Sequence, residues 1–170
     1  MHQTPNPFRL NVGFLINQPV GYNRDFPIEA PYYHIPPDLD LYDISGSVKI
    51  TRTSQGLLAE VKLHAVSPAE CVRCLDNFNQ YLNAEFAELY AFSNKSNPGV
   101  EFLLPEDGRI DLSSLVREYM LLDVPIKTLC RPDCKGLCPI CGENQNDSIC
   151  QHDDESIDPR LAKLKSIYDE

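Results

Sequence analysis

Apolar and polar residues alternate with period two over most of the first ninety residues. Phe8, Leu10, Val12, Phe14 and Ile16 fall on one side, with Arg9, Asn11, Gly13 and Leu15 between them, as in a half-buried strand. Tyr42, Ile44, Val48 and Ile50 mark a second strand and Leu57, Ala59, Val61, Leu63 and Ala65 a third, with Thr53-Ser54-Gln55-Gly56 as the hairpin turn. A fourth run places Phe78, Leu82, Ala84, Phe86, Tyr90 and Phe92 on one face. Residues 18–38 hold five prolines, which deny ladder hydrogen bonds and predict a long surface connection. Helical periodicity comes late. Leu112, Leu115, Val116, Tyr119 and Leu122 form the stripe of a helix over about 112–123, with Asp111 as its cap and Pro125 as its stop. The polar stretch 94–99 before it is read as a flexible loop, and the only other helix expected is a short one opened by Asp158-Pro159, with Leu161, Leu164 and Tyr168 on one side. The pattern predicts an α+β protein: an antiparallel, partly curled sheet of at least four strands with one packed helix over 1–127, then a tail over 128–170.

Length and composition fit this: 170 residues, 42% hydrophobic, suffice for one core of ordinary size with a small appended module. The N-terminus is polar and proline-rich, without a basic segment followed by an apolar run, so the expectation is a cytoplasmic protein with no membrane segment. A formal charge of −10 changes the choice of partners. Non-specific nucleic-acid binding relies on Lys and Arg displacing counterions from phosphates, which this balance opposes, whereas a basic protein is attracted.

The tail, crowded with Pro, Gly, Asn and Asp, is too poor in apolar residues to build its own core, and there the cysteines concentrate. Seven cysteines and one histidine form four pairs: Cys71 with Cys74, Cys130 with Cys134, Cys138 with Cys141, and Cys150 with His152. Reduced cytosolic thiols at such spacings favour metal thiolates over disulfides, and zinc takes four sulfur or imidazole ligands. Cys138, Cys141, Cys150 and His152 make one such set, with Gly142 supplying the positive φ a knuckle turn needs. Cys71 and Cys74 can join Cys130 and Cys134 in a second site, stapling the sheet to the tail. The alternative is a single zinc drawn from the six tail ligands, leaving Cys71 and Cys74 free; two sites are favoured. A cytosolic thiol-disulfide oxidoreductase using Cys71 and Cys74 is the catalytic rival, although no βαβ pattern accompanies the CxxC. His2, His34 and His64 read as ordinary surface or packing residues. No nucleophile-base set or phosphate-cradling loop is present, so no enzyme is expected. Arg73, Lys127, Arg131 and Lys135 flank the metal pairs and are the candidate contacts to RNA or a protein partner, unless they only offset thiolate charge.

These motifs carry a resemblance. Cys71-Val72-Arg73-Cys74 after a hairpin, Ile110-Asp111-Leu112 leading through Arg117-Glu118 and Leu121-Leu122 to Val124-Pro125, Cys134-Lys135-Gly136-Leu137-Cys138-Pro139-Ile140-Cys141-Gly142-Glu143-Asn144 and Asp158-Pro159-Arg160-Leu161 are similar to the YceD-like family of large ribosomal RNA subunit accumulation proteins, in its zinc-tailed bacterial form. The resemblance spans roughly residues 40–170. It implies a non-enzymatic role in accumulation of the large-subunit ribosomal RNA and in ribosome assembly, a warrant by association. The family tail usually closes with Cys-x-Cys; here His152 stands in the last place, a ligand zinc also accepts. Joined to the charge argument, the expected partner is a ribosomal protein or a large-subunit precursor particle, with direct rRNA contact weak. A zinc-stabilised protein-interaction adaptor is the remaining alternative.

Overall fold

The alternating runs become long strands. The computed structural model describes residues 5–92, 102–148 and 150, and among these the elements are β1 (Arg9–Asn11), β2 (Asn23–Ile35), β3 (Leu39–Arg52), β4 (Gly56–Glu70), β5 (Asn77–Ala91), β6 (Phe102–Leu103), β7 (Arg109–Asp111) and α1 (Ser113–Asp123). β2 to β6 form one five-stranded sheet in sequential order, and β1 pairs with β7 in a second, two-stranded sheet. The stretch 94–99 and the short helix expected after Asp158 lie outside the described residues.

Three expectations are corrected. The proline-rich stretch is not a connection: residues 23–35 form an edge strand antiparallel to β3, from Asn23 opposite Thr51 to Ile35 opposite Leu39. An edge strand turns alternate N–H groups to its open side, so Pro27 and Pro31 are tolerated, and the ladder skips the Pro31 position. The sheet is mixed rather than wholly antiparallel, because β6 runs parallel to β5, with Tyr90 opposite Phe102 and Ala91 opposite Leu103. The first apolar run keeps its alternation only through Val12. A 3-10 turn at Gly13–Leu15 then shifts the phase, burying Leu15 and leaving Phe14 46% exposed.

One face of the large sheet carries the core. Leu41, Val48, Ile50, Leu57, Ala59, Val61, Leu63, Leu82 and Ala84 are buried there, and β1, β7 and α1 cover them with Phe8, Leu10, Ile110, Leu112, Leu115 and Val116. Phe8 meets Tyr33 edge to face at 5.6 Å, and Tyr119 of α1 stacks on Phe86 of β5 with centroids 4.4 Å apart. The helix buries Leu115, Val116 and Met120, whereas Leu122, expected in the stripe, is 73% exposed. Asp111 stands one residue before the cap position, its carboxylate accepting the Ser113 N–H at 2.9 Å, and Leu112 is the N-cap residue. Val124 ends the helix in extended geometry before Pro125. At the other end Asp123 accepts the Asn83 N–H at 2.8 Å, satisfying the edge of β5 where no strand flanks it. No helix among the described residues is long and apolar enough to cross a membrane.

Candidate metal centre

The cysteine sites grow from the turn between β4 and β5. Beyond Glu70 the ladder gives way to a tight turn in which the Leu75 N–H reaches the Cys71 carbonyl at 2.9 Å and the Cys71 N–H reaches the Asp76 carbonyl at 2.9 Å, with Leu75 held at φ +61°. Both thiols therefore point inward from one loop. The tail is stitched across this turn: the Val72 N–H bonds the Thr128 carbonyl at 2.9 Å, the Thr128 hydroxyl bonds the Glu70 carbonyl at 2.9 Å, and the Leu137 N–H bonds the Arg73 carbonyl at 3.1 Å. Asn144 adds a side-chain bond to Asp76 at 2.7 Å.

This stitching brings Cys71, Cys74, Cys130 and Cys134 together from two segments of the chain, with all four sulfurs within 4.8 Å of one another. Cys71 Sγ lies 3.8 Å from Cys134 Sγ, and Cys74 Sγ 3.6 Å from Cys130 Sγ. Four thiolates at a zinc–sulfur distance of about 2.3 Å on a tetrahedron would stand about 3.8 Å apart, so the donor set fits a tetrahedral thiophilic ion. Cys71, Cys74 and Cys134 are buried, Cys130 is half-buried, and Phe78 and Leu129 pack against them. The first set thus forms a small closed core of its own.

Cys138, Cys141 and Cys150 form a second cluster, also within 4.8 Å, and Cys141 Sγ lies 3.4 Å from Cys150 Sγ. Here the Cys138 N–H bonds the Glu143 carbonyl at 2.8 Å and the Gly142 N–H bonds the Cys138 carbonyl at 2.9 Å. Gly142 takes φ +77° as its place in the knuckle predicts, and Gly136 takes φ +81° where the tail passes the Arg73 carbonyl. Cys138 is buried while Cys141 is exposed, so this cluster is the more open of the two. His152 lies outside the described residues.

Electrostatics separates the thiols within each cluster. Burial pushes the Cys71 thiol up, but backbone N–H groups of Cys130, Cys74 and Arg73 outweigh it and bring it down to about 6. At Cys138, the N–H groups of Cys141 and Ile140 bring the thiol down to about 7 against the effect of burial. Cys134 is lowered too, first by the Asn146 amide, whose Nδ2 donates to its sulfur at 3.4 Å. Cys130 moves up through burial, and Cys150 is pushed up to about 12 by its contact with Cys141 and by burial. Within each cluster some thiols are thus held down and others pushed up, and a bound cation would favour the thiolate form of all of them.

The four basic candidates sit at this end of the molecule and are exposed. Arg73 is already engaged, its Nη1 donating to the Cys134 carbonyl at 2.8 Å, and Arg131 faces Asp133 at 3.8 Å. Lys127 precedes the Thr128 stitch and Lys135 follows Cys134. Sequence reasoning missed Asn146, which touches a sulfur, and Glu143, whose carboxylate accepts from Cys150 Sγ at 3.7 Å. Surface Asn and Glu carry no spacing signal that sets them apart.

Comparison with known proteins gives the geometry a family. Residues 59–168 match the family model described as large ribosomal RNA subunit accumulation protein YceD. An uncharacterized protein of Mycobacterium tuberculosis is 34% identical over 131 residues, 75% of this chain and 59% of that relative, so the aligned chain spans well under two thirds of its length. The chloroplastic large ribosomal RNA subunit accumulation protein YCED homolog 1 of Zea mays is 35% identical over 63 residues, 36% of this chain and 21% of its own. Its Arabidopsis thaliana namesake is 32% identical over 66 residues, 39% of this chain and 21% of its own. No solved structure matches. The matched span covers β4 from Ala59 onward, the first cysteine turn, the helix and the tail, and the chain belongs to the YceD family of large ribosomal RNA subunit accumulation proteins.

Proposed function

We propose that the protein is a cytoplasmic, non-catalytic zinc protein that supports accumulation of large-subunit ribosomal RNA by acting on the assembling subunit. One zinc is held by Cys71, Cys74, Cys130 and Cys134, and a second by Cys138, Cys141 and Cys150 with His152 as fourth ligand. The observation that carries the reading is the convergence of two cysteine clusters, tied to the β4–β5 turn, in a chain of this family. In it, residues 128–170 form a tail whose metals substitute for an apolar core, and the sheet is the scaffold. The partner is a basic ribosomal protein or a protein-bearing precursor particle, since a charge of −10 opposes bare RNA; any RNA contact falls on Arg73, Lys127, Arg131 and Lys135. The test is depletion of the protein in cells followed by measurement of the large- to small-subunit RNA ratio. The ratio falls and is restored by the parent chain but not by Cys71→Ser; an unchanged ratio on depletion refutes the role.

A second reading has one specific observation in its favour. A thiol lowered to about 6 at Cys71, beside Cys74, is what a dithiol oxidoreductase needs. Full burial of Cys71 and its four-sulfur surroundings favour the metal. Titration of the zinc-loaded protein with a thiol reagent separates them, since rapid labelling of Cys71 without metal loss would support the oxidoreductase.

A further inference from the structure

The outer face of the large sheet carries chemistry that the metal sites do not use. Tyr32 of β2 is opposite Tyr42 of β3, Tyr42 is opposite Val66 of β4, and Val66 is opposite Tyr81 of β5, so one cross-strand row runs over four strands. Its tyrosines are 40%, 41% and 74% exposed, and the rings of Tyr32 and Tyr42 lie 4.9 Å apart. A parallel row, Glu29, Ser45, His64 and Asn83, adjoins it, with His64 bonded to Asn83 at 2.7 Å. Between the rows the β3–β4 register shifts, and Asp43 takes φ +49°. Bulges of this kind re-aim a side chain, and Asp tolerates the conformation better than most residues. The bulge opens a cleft of about 330 Å³ lined by Asp43, Ser45, His64, Val66, Asn79 and Tyr81.

Charge decides what such a face accepts. Asp40, Asp43 and Glu29 stand on or beside it, and no Lys or Arg lies in either row or lines the cleft. Further along the same face, Lys62 is bonded to Glu85 and Lys49 is opposite Glu60, so those cations already have acidic neighbours. Among the described residues Asp43 and Glu29 have no basic partner within 4 Å, while Asp40 is taken by the Tyr32 hydroxyl and His34 Nδ1, each at 2.8 Å. Exposed ring faces also suit nucleobases, but each base brings a phosphate into this acidic field. Rings with carboxylates and no local cation suit guanidinium and ammonium groups. Three inter-strand steps span about 14 Å, the reach of an extended segment of four or five residues.

We propose that the tyrosine-lined outer face of β2 to β5 docks an extended, Arg- and Lys-rich polypeptide segment, whose cations seat against Tyr42 and Tyr81 and on Asp43. This deepens the reading of a basic protein partner and rests on it.

The probe is a synthetic peptide of alternating Arg and Ser, titrated at physiological salt into the zinc-loaded full chain while backbone amides are followed by NMR. Shifts should centre on residues 42–45, 64–66 and 79–83, and a Glu–Ser peptide should cause none. Tyr81→Ala and Asp43→Asn, the latter retaining a residue that accepts positive φ, should each weaken binding about threefold to tenfold, whereas Arg109→Ala, exposed on β7 over the core face, leaves it unchanged. Circular dichroism of each variant guards against a folding defect. Equal affinity in both variants, shifts centred on the cysteine turns, or displacement of the peptide by polyuridine at the same amides would overturn the proposal. Peptide binding that obeys these expectations while depletion leaves ribosomal RNA unaffected supports the site and sinks the broader reading. A Tyr81→Ala/Asp43→Asn chain that restores RNA as fully as the parent overturns the docking role and leaves that reading standing.

Discussion

At the scale of single residues, the cysteines were legible because pairs three or four positions apart need only a local turn to aim both sulfurs at one point. The favoured grouping of Cys71 and Cys74 with Cys130 and Cys134 rested on counting ligands, and the structure supplies its means: Cys71 and Cys134 are brought within 3.8 Å by tail-to-turn hydrogen bonds that no spacing rule contains. The partition is testable ligand by ligand. With both sites filled, elemental analysis should find two zinc ions per chain; Cys71→Ser and Cys130→Ser should each lose one ion, and Cys138→Ser the other. Loss of the same ion from Cys130→Ser and Cys141→Ser would refute the pairing. The glycines allow a finer test. A β-carbon on Gly136 would lie 3.1 Å from the Arg73 carbonyl oxygen at φ +81°, so Gly136→Ala strains the strap joining tail and turn by about 1–2 kcal/mol. Competition with a chromogenic chelator should therefore show zinc retained roughly tenfold less tightly than by the parent chain. Asn146, by contrast, gave no advance sign; its contact to sulfur exists only once the tail has turned back on itself.

At the scale of elements, strands with a clean in-out pattern were readable, and those whose patterning answers to something other than burial were not. β3, β4 and β5 show alternation because one face meets the core and the other meets solvent. β2 was hidden by Pro27 and Pro31, whose cost depends on whether a neighbour pairs with that edge, a fact of topology rather than of sequence. β6, two residues long, is too short for any period to register. In α1 one of the five stripe positions was misplaced: Met120 is fully buried and Leu122 is exposed, because the helix turns toward β5 through Tyr119 on Phe86. Urea unfolding can measure that difference. Met120→Ala should cost about 2–4 kcal/mol through the cavity it leaves, and Leu122→Ala less than about 0.5 kcal/mol. Similar losses from both would mean that α1 packs by a different face.

At the scale of the whole molecule, charge and metal content make separate claims. The charge of −10 predicts that the isolated protein binds protein-free large-subunit RNA only weakly at physiological salt, where screening acts over about 8 Å. A filter-binding titration should show little retention, and tight binding would transfer the partner role from protein to RNA. The metals bear on how the fold is divided. Beyond α1, the described tail from Thr128 is turns and loops with one isolated bridge, Leu137 to Asn144, and its buried apolar side chains are those around the first cysteine set together with Cys138. The sheet, in contrast, has its own continuous cluster from Phe8 to Met120, to which the cysteine set does not belong. With the metal sites proposed above, removing the ions would take away most of what orders the tail and little of what orders the sheet. Chelation followed by hydrogen exchange should therefore expose amides of 128–150 and of the 71–76 turn, while β3, β4 and the Leu57–Leu63 core amides keep their protection. The order of loss carries further information, because the exposed Cys141 makes the second cluster the easier one to strip. Tail amides from Cys138 onward should open at lower chelator concentration than the Val72 and Leu137 amides that stitch the tail to the turn. Uniform loss of protection across the chain would mean that sheet and tail fold as one unit, with the zinc ions supporting the core itself.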